Sequence, residues 1–245
     1  MGDKRRNDPE ALVEALTDIW CESAARSVAM PSEPQLAAAM GASRPAVREA
    51  LTRLEERGYV HRSQGARTVI NRSLIDIGTR VDQQRDHMIA IERAGYQASV
   101  SVLEAEVTVI DAQRSFHTLA VGTRVLRTRK VWCADGEPYV LAEDLIPISD
   151  ESLVSVADIN CELSVFDLAE EFNGVSVAWE TVWLSAVAID DSERIALGRN
   201  DVVPALQLIY MGEGAEGETA YWCREIQLDP PVGLRNALVR RVSRS

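Results

Sequence analysis

Residues 31–70 constrain the fold of this chain more than any other stretch, because they combine two capped helices, a tight turn and a strand pair. Ser32 is a good N-cap, and Gln35 follows at the spacing of a capping box. Gly41 ends the first helix, since glycine turns the backbone there without steric cost. Ser43 then caps a second helix. The spacing predicts a helix-turn-helix.

The second helix has an apolar arc and a polar edge when it is plotted at 3.6 residues per turn. Arg44, Arg48 and Thr52 step by four residues along the polar edge. Cationic side chains near the N-terminus of an exposed helix suit contacts with guanine edges and phosphates. The apolar arc, which we expect to pack on the preceding helices, consists of Val47, Ala50, Leu51 and Leu54.

A two-stranded wing is predicted directly after this helix. Gly58 stops the helix, and the strands are expected at residues 59–62 and 67–70, so that Arg62 and Arg67 lie on the wing as candidate DNA contacts. Gln64 and Gly65 form its tip, where glycine lets the backbone approach a sugar–phosphate chain closely.

Charge supports a nucleic-acid partner for this segment alone. The whole chain carries a formal charge of −12, which DNA would repel. Residues 44–72 nevertheless hold seven arginines against three glutamates. Attraction to double-stranded DNA is therefore local, and affinity should fall steeply with salt. The alternative is a salt-bridged helical hairpin that binds nothing, in which Glu55 and Glu56 neutralise the neighbouring arginines.

The same stretch resembles the winged helix-turn-helix of the GntR family of bacterial regulators, over roughly residues 10–71. The resemblance implies that Ser43, Arg44 and Arg48 contact bases and backbone, and that the Gln64-Gly65 tip enters the minor groove. The residues that carry it are Pro31-Ser32-Glu33, Leu36-Ala37, Ser43-Arg44, Val47 to Leu51, Leu54-Glu55, Gly58 and Gln64-Gly65.

Composition sets the broad class of protein. A chain of 245 residues suffices for two modest domains. Four scattered cysteines favour a reducing compartment, with each thiol a small buried side chain rather than a zinc ligand or half of a disulfide. No run of apolar residues is long enough to span a membrane. We therefore expect a cytoplasmic protein without metal or cofactor.

The charge distribution divides the chain. Residues 1–72 carry a net charge of +1, and residues 73–245 carry −13. The second part is a poor DNA binder and must have another role. We predict a DNA-binding domain over 1–72, a linker over 73–92, a second domain over 93–229 and a basic tail over 230–245.

The second domain mixes strands and helices without strict alternation, which predicts an α+β fold with an antiparallel sheet. Strands are expected at 99–109, 124–133, 139–146, 175–188, 205–210 and 219–228. Short helices are expected at 111–120, 164–172 and 191–197. In the tail, Leu234, Leu238 and Val242 have helical spacing, which predicts a short basic helix that either stays solvated or docks on the acidic body or another subunit.

A second resemblance covers roughly residues 83–229. Arg129 to Pro138, with Glu143 and Leu145-Ile146-Pro147 downstream, are similar to the UTRA ligand-sensing domain of the HutC branch of GntR regulators. That domain has a chorismate-lyase-like fold. The resemblance implies a small-molecule effector that binds on the sheet and releases or reorients the DNA-binding heads.

The resemblance also implies candidate effector residues. Lys130 and Trp132 stand where relatives that sense sugar phosphates place two arginines. Glu143 and Ser164 match positions that hydrogen-bond effectors, and Tyr221 and Arg224 lie on the last strand, which faces the pocket in relatives.

Because a lysine does not replace a bidentate guanidinium, we expect a flatter, less anionic effector that stacks on Trp132, with Trp222 as a second aromatic surface. The alternatives are that both tryptophans are core aromatics, that Glu143 is a solvated strand carboxylate, and that Lys130 forms a surface salt bridge.

Three functions compete at this point. The favoured one is a ligand-responsive repressor that binds operator DNA as a homodimer, because paired half-sites require two-fold symmetry. The second is a DNA-binding protein whose second domain only dimerises or binds a protein partner. The third is a lyase-like enzyme, which the sequence disfavours because it contains no nucleophile elbow, zinc spacing or phosphate loop.

Overall fold

The structure is a computed structural model that describes residues 9–62, 68–74, 79–80, 86–111, 119–148, 156–229, 234 and 236–238. The chain forms two compact units. The first comprises Met1–Gln84 together with Arg235–Ser245, and the second comprises Arg85–Leu234.

Three helices dominate the first unit: α1 (Pro9–Ala25), α2 (Glu33–Met40) and α3 (Arg44–Glu56). Their ends follow the predicted caps. The Gln35 side chain accepts a hydrogen bond from the Ser32 backbone N–H at 2.9 Å, and Gly41 adopts the left-handed conformation that closes α2. The Ser43 hydroxyl accepts from the backbone N–H of Ala46, which caps α3. The helix-turn-helix prediction is therefore confirmed.

The predicted wing is also present. Strands β1 (Val60–His61) and β2 (Val69–Ile70) pair in antiparallel fashion directly after α3. The tip residues Gln64 and Gly65, together with Arg67, lie outside the described residues. A 3-10 turn follows at Arg72–Leu74, and a two-residue strand, β3, lies at Thr79–Arg80.

One apolar core holds the helices and the wing together. The Trp20 indole donates a hydrogen bond to the Tyr59 carbonyl at 2.8 Å and meets the Tyr59 ring edge-on. This contact fixes the first wing strand on α1. The buried members of α3 are the four that the periodicity predicts: Val47, Ala50, Leu51 and Leu54.

The second unit is built on a six-stranded antiparallel sheet, so the α+β prediction is confirmed. Its strands are β4 (Ala98–Val109), β5 (Arg124–Ala134), β6 (Glu137–Pro147), β7 (Trp179–Ala188), β8 (Pro204–Glu213) and β9 (Thr219–Gln227). Their order in the sheet is β4-β5-β6-β9-β8-β7, so that β4 and β7 are the edges.

The turn between β5 and β6 follows the predicted hairpin. Asp135 and Gly136 both have positive φ, +51° and +83°. Two consecutive positive φ values are typical of the tight turns that match the strand twist. This turn sets the register that brings Lys130 opposite Ala142, and Arg129 opposite Glu143.

Helices α4 (His87–Arg93) and α5 (Val165–Asn173) pack on one side of the sheet, which we call the helix face. The other side, the open face, is covered in part by α6 (Asp191–Ala196). A further 3-10 turn lies at Val156–Asp158. Within the described residues, no helix is long and apolar enough to cross a membrane.

Two sequence expectations are wrong. The tail has no helix at Asn236–Ala237, because these residues form β10, which pairs in parallel with β3 (Thr79–Arg80) inside the first unit. A short isolated helix gains little in water, whereas strand pairing satisfies the backbone at once. Cys21 is exposed, because it lies on the outer side of α1, and Cys133 is only half-buried; Cys161 and Cys223 are buried as expected. The predicted helix at 111–120 falls largely outside the described residues.

Candidate functional site

Helix α3 presents an exposed polar edge at its N-terminal half. Arg44, Arg48 and Thr52 are all exposed, and they follow one another at four-residue spacing. Ser43 caps the helix directly before them. The arrangement combines cationic side chains with the positive end of a helix, so it suits an anionic partner such as a nucleic-acid backbone.

Glu33, the first residue of α2, links this edge to the wing. Its carboxylate forms ion pairs with Arg48 at 3.1 Å and with Arg62 at 2.8 Å. Arg62 also donates hydrogen bonds to the Thr52 hydroxyl at 3.3 Å and to the Arg48 carbonyl at 3.4 Å. One carboxylate therefore holds the helix edge and β1 in a fixed mutual position.

The two arginines that Glu33 binds differ in freedom. The Arg48 side chain is 66% exposed, whereas Arg62 is partly buried. An exposed ion pair gains little free energy in water, so Arg48 can leave Glu33 for a phosphate or a base. Sequence reasoning assigned no role to Glu33, because its partners lie 15 and 29 residues away.

In the second unit, strand alternation divides the predicted effector residues between the two sides of the sheet. Lys130, Trp132 and Tyr221 lie on the helix face, and all three are buried, so Trp132 is a core aromatic, as the alternative had it. Glu143 lies opposite Arg129 on one neighbouring strand and opposite Arg224 on the other, and all three lie on the open face. Glu143 and Arg224 are therefore not in one site with Lys130.

Lys130 is fully buried, so it does not form the surface salt bridge considered as an alternative. Its ammonium group pairs with Asp144 at 3.1 Å and donates a hydrogen bond to the Leu163 carbonyl at 2.9 Å. Asp144 also accepts from the Thr128 hydroxyl at 2.8 Å. The positive charge of Lys130 is thus balanced inside the protein.

A second buried carboxylate, that of Glu225, lies two strands away from Lys130 in the same row of the sheet, because both residues lie opposite Ala142. Glu225 binds the His87 ring at 2.6 Å, accepts from the Gln227 side chain at 2.8 Å and is hydrogen-bonded by the Tyr210 hydroxyl. Burial alone would lower the pKa of His87, but the Glu225 carboxylate raises it above the ordinary value of 6.5. Burial, with Glu225 nearby, also raises the pKa of Tyr210.

Trp132 connects these two polar groups. Its ring packs against the His87 ring at a centroid distance of 4.8 Å, and the Lys130 ammonium lies 5.5 Å from its centroid. His87 is the first residue of α4, and Asp86 caps that helix through the backbone N–H groups of Met88 and Ile89. The start of α4 is therefore fixed on the sheet by a ring contact and an ion pair.

Ser164 lies beside this cluster, since the preceding residue, Leu163, accepts the bond from Lys130. Its hydroxyl caps α5 and donates to Asp167 at 2.7 Å. Tyr221 lies further away, four residues along β9 from Glu225, or about 13 Å at the usual rise per strand residue. Its ring meets Phe166 edge-on, and its hydroxyl binds Glu180.

On the open face, charged side chains form a connected network. Arg127 pairs with Glu104, Glu106 and Glu143, and hydrogen bonds from Arg127 and Arg129 lower the pKa of Glu104 although burial opposes this. Arg224 pairs with Glu193 at 2.7 Å. Trp222, the second aromatic surface expected for an effector, is buried on this face with Ile110 and Leu119. It therefore does not share a surface with Trp132.

Comparisons with known proteins agree with the two-unit division. A family profile described as bacterial regulatory proteins, gntR family, matches residues 16–70. The UTRA domain profile matches residues 93–226, which is more than half of the chain.

Similar proteins point the same way. The HTH-type transcriptional regulator Mce2R of Mycobacterium tuberculosis is 45% identical over 67 residues, which are 27% of this chain and 28% of that protein. The match therefore spans less than a third of this curated relative.

Among solved structures, PhnF from Mycobacterium smegmatis has a TM-score of 0.56 at 19% identity, covering 88% of this chain and 92% of that one. YydK from Bacillus subtilis has a TM-score of 0.64 at 12% identity, covering 90% and 95%. At these identities the structural likeness concerns the fold.

Proposed function

Because this chain belongs to the GntR family of bacterial regulatory proteins, with the UTRA domain that fits the HutC branch, we propose that it is a cytoplasmic, ligand-responsive repressor of transcription. The observation that carries this proposal is the exposed Arg44–Arg48–Thr52 edge on a capped helix beside a wing. Such an edge can enter the major groove of an operator. The net charge of +1 over residues 1–72, within a chain of −12, supports the same assignment.

Each contact has a distinct role in the proposed complex. Arg48 leaves Glu33 and binds a base edge or a phosphate, and Arg44 and Ser43 bind the backbone at the helix N-terminus. Arg62 stays with Glu33 and Thr52, so it orients the wing. Gln64, Gly65 and Arg67 complete the wing contact in this proposal.

Operator binding requires two copies of the chain. One helix-turn-helix contacts only a few base pairs, and a palindromic site presents two half-sites to a two-fold dimer. The effector acts by population shift, because it binds one arrangement of the two DNA-binding heads more tightly than the other. The size of the shift is limited by this difference in affinity.

The helix face of the sheet is the proposed effector site, with Lys130, Trp132 and Ser164 at one end and Tyr221 towards the other. Because Asp144 already neutralises Lys130, a phosphate would meet no unbalanced positive charge there. This supports a flat, weakly anionic or uncharged effector. Because Trp132 is only 7% exposed, such an effector has to displace neighbouring side chains to stack on its ring. Glu143 and Arg224 are not part of the proposed site, because they lie on the open face.

The proposal is tested by selecting duplexes from a random DNA pool with the purified full-length protein, then measuring affinity by fluorescence anisotropy between 50 and roughly 200 mM salt. We expect one enriched palindrome and a steep fall in affinity with salt. Absence of any enriched sequence would contradict the proposal.

The effector class is tested separately by isothermal titration calorimetry. One panel contains hexose phosphates and the other contains planar aromatic compounds without phosphate. We expect binding from the second panel only, weakened in Trp132→Ala. Tight binding of a hexose phosphate that Trp132→Ala leaves unchanged would refute the proposed effector class.

A further inference from the structure

Glu33 binds two arginines with one carboxylate, and each of its oxygens has its own partner. Oε2 accepts from Nε and Nη2 of Arg48 at 3.3 and 3.1 Å, and Oε1 accepts from Nη2 of Arg62 at 2.8 Å. Both arginines are candidate DNA contacts. An acidic group therefore lies among the cations that face a polyanion in the proposed complex, where it repels phosphate.

The contact with Arg62 is the firmer half of this bridge. Arg62 also donates from Nη1 to the Thr52 hydroxyl and to the Arg48 carbonyl, and its backbone N–H donates to the Glu55 carboxylate at 2.9 Å. Its side chain is partly buried, whereas that of Arg48 is largely exposed. Glu33 therefore keeps its position when Arg48 moves away.

The bridge has different consequences for the two kinds of duplex that the protein meets. A duplex without the operator sequence offers Arg48 only phosphates, and taking one leaves the Glu33 carboxylate beside the DNA backbone without its second cation. A guanine edge in an operator offers Arg48 two acceptors, O6 and N7, in the geometry of its guanidinium group. Such a bidentate contact compensates for the lost ion pair better than a phosphate does.

We propose that Glu33 determines the sequence specificity of DNA binding, because it withholds Arg48 from phosphates and releases it to the bases of the operator. Specificity is a difference between two affinities, and a repulsive group that weakens the wrong complex increases it. The proposal rests on the regulator function proposed above, since it concerns the same helix edge.

A purely structural role for Glu33 makes a different prediction. Glu33 is the first residue of α2, where a carboxylate interacts favourably with the helix N-terminus. If that were its whole contribution, its loss would change the melting temperature and would affect operator and unrelated DNA equally. The ratio of the two affinities is therefore the decisive quantity.

The test compares Glu33→Gln with Glu49→Gln in the full-length protein. Glu49 lies on α3 and pairs with Arg53 at 3.2 Å, so its substitution removes the same charge from the same unit without releasing Arg48. Fluorescence anisotropy uses two labelled duplexes: the palindrome enriched by selection and a scrambled duplex of the same length and base composition. Circular dichroism establishes that both variants fold.

Glu33→Gln should bind the scrambled duplex about five to ten times more tightly than the wild type does, since it no longer places an unpaired carboxylate beside the phosphates. Its affinity for the palindrome should change by no more than about twofold, because the lost repulsion and the poorer positioning of Arg48 and Arg62 oppose each other. The specificity ratio should thus fall by about fivefold, whereas Glu49→Gln should keep it within about twofold of the wild type.

The salt dependence of binding gives a second measurement. On the scrambled duplex, the slope of log affinity against log salt should become steeper by about 0.9 for Glu33→Gln, because Arg48 adds one phosphate contact. The slope of Glu49→Gln should equal that of the wild type. In an Arg48→Ala background, Glu33→Gln should no longer increase affinity for the scrambled duplex, which identifies Arg48 as the residue through which Glu33 acts.

An unchanged specificity ratio in Glu33→Gln, an equal fall in Glu49→Gln, or a gain on scrambled DNA that persists without Arg48 would each overturn the proposal. The wild type tests the regulator function separately. A wild type that prefers no duplex would refute that function and the role of Glu33 together. A wild type that prefers the palindrome, with a Glu33→Gln protein that discriminates equally well, would refute the role of Glu33 alone.

Discussion

The two units treat positive charge in opposite ways. In the first unit, Arg48 is largely exposed, and its carboxylate partner among the described residues is Glu33, which it shares with Arg62. In the second unit, Lys130 is fully buried, and Asp144 and the Leu163 carbonyl bind it. Each cation lies in a motif for which the sequence predicts a binding role, yet only Arg48 is accessible to an external partner.

The contrast indicates how charge divides between recognition and stability. A charge in water costs little to release from its partner, so it remains available for a ligand. A charge out of water depends on its partner, and removing that partner leaves an uncompensated buried ion. The same chemical change, carboxylate to amide, should therefore have very different effects at Glu33 and at Asp144.

The largest expected effect is that of Asp144→Asn. It leaves the Lys130 charge buried without a carboxylate, which should cost about 3–5 kcal/mol of the free energy of unfolding and lower the melting temperature by roughly 10 °C. Thermal denaturation measures this. The double variant Lys130→Met with Asp144→Asn should regain part of the loss, because it buries no charge. A wild-type melting temperature for Asp144→Asn would show that Lys130 does not need its partner.

Arg48→Ala should have the next largest effect, on DNA binding rather than on folding. Loss of its contact should cost ~1–3 kcal/mol of specific operator affinity, with an unchanged melting temperature. Fluorescence anisotropy on the selected duplex measures it. The control is Arg194→Ala in the second unit, which also removes an arginine paired with a nearby carboxylate, Asp191. Equal losses in both variants would mean that only the total charge matters.

The His87–Glu225 pair should make the stability of the second unit depend on pH. Because Glu225 raises the pKa of His87 above its ordinary 6.5 despite burial, the stabilisation is fully present below about pH 6.5. It is lost as pH rises through the raised value in the folded protein. Melting temperatures between pH 6 and 9 should therefore fall in the wild type more than in His87→Gln. Parallel curves for the two proteins would contradict this linkage.

Glu33→Gln should have the smallest effect on stability. Arg48 is largely exposed and Arg62 keeps partial contact with water, so the change should cost at most about 1 kcal/mol. Measured beside Asp144→Asn in the same thermal experiment, it quantifies the difference between the two units. A loss of stability as large as that of Asp144→Asn would show that the exposed and the buried cations depend equally on their carboxylate partners.

Local features of the fold could be predicted from the sequence. The caps at Ser32 and Ser43, the left-handed Gly41 and the Asp135–Gly136 turn each depend on a few neighbouring residues, and each is confirmed. Alternation also gave most strands of the second unit. These features are predictable because the interactions that stabilise them are made between residues only a few positions apart in the sequence.

The arrangement of the candidate sites could not be predicted in the same way. The side of the sheet that Glu143 and Arg224 occupy depends on strand register, and a shift of one residue exchanges the two sides. Whether Lys130 is buried depends on Asp144 and on Leu163, 33 residues away. Glu33 and β10 likewise owe their roles to partners far along the chain, which no local pattern reveals.

The pairing of β10 with β3 has a consequence for how the protein is made. Residues 79–80 leave the ribosome about 150 residues before residues 236–237 do, an interval of roughly 8–30 s at ordinary rates of translation. The helical core of the DNA-binding unit can form during that interval, but its last strand pair cannot. A transcript broken within the second unit would therefore yield a DNA-binding unit without β10. A DNA-binding unit that contains the β3–β10 pair is thus one whose second unit has already been synthesised.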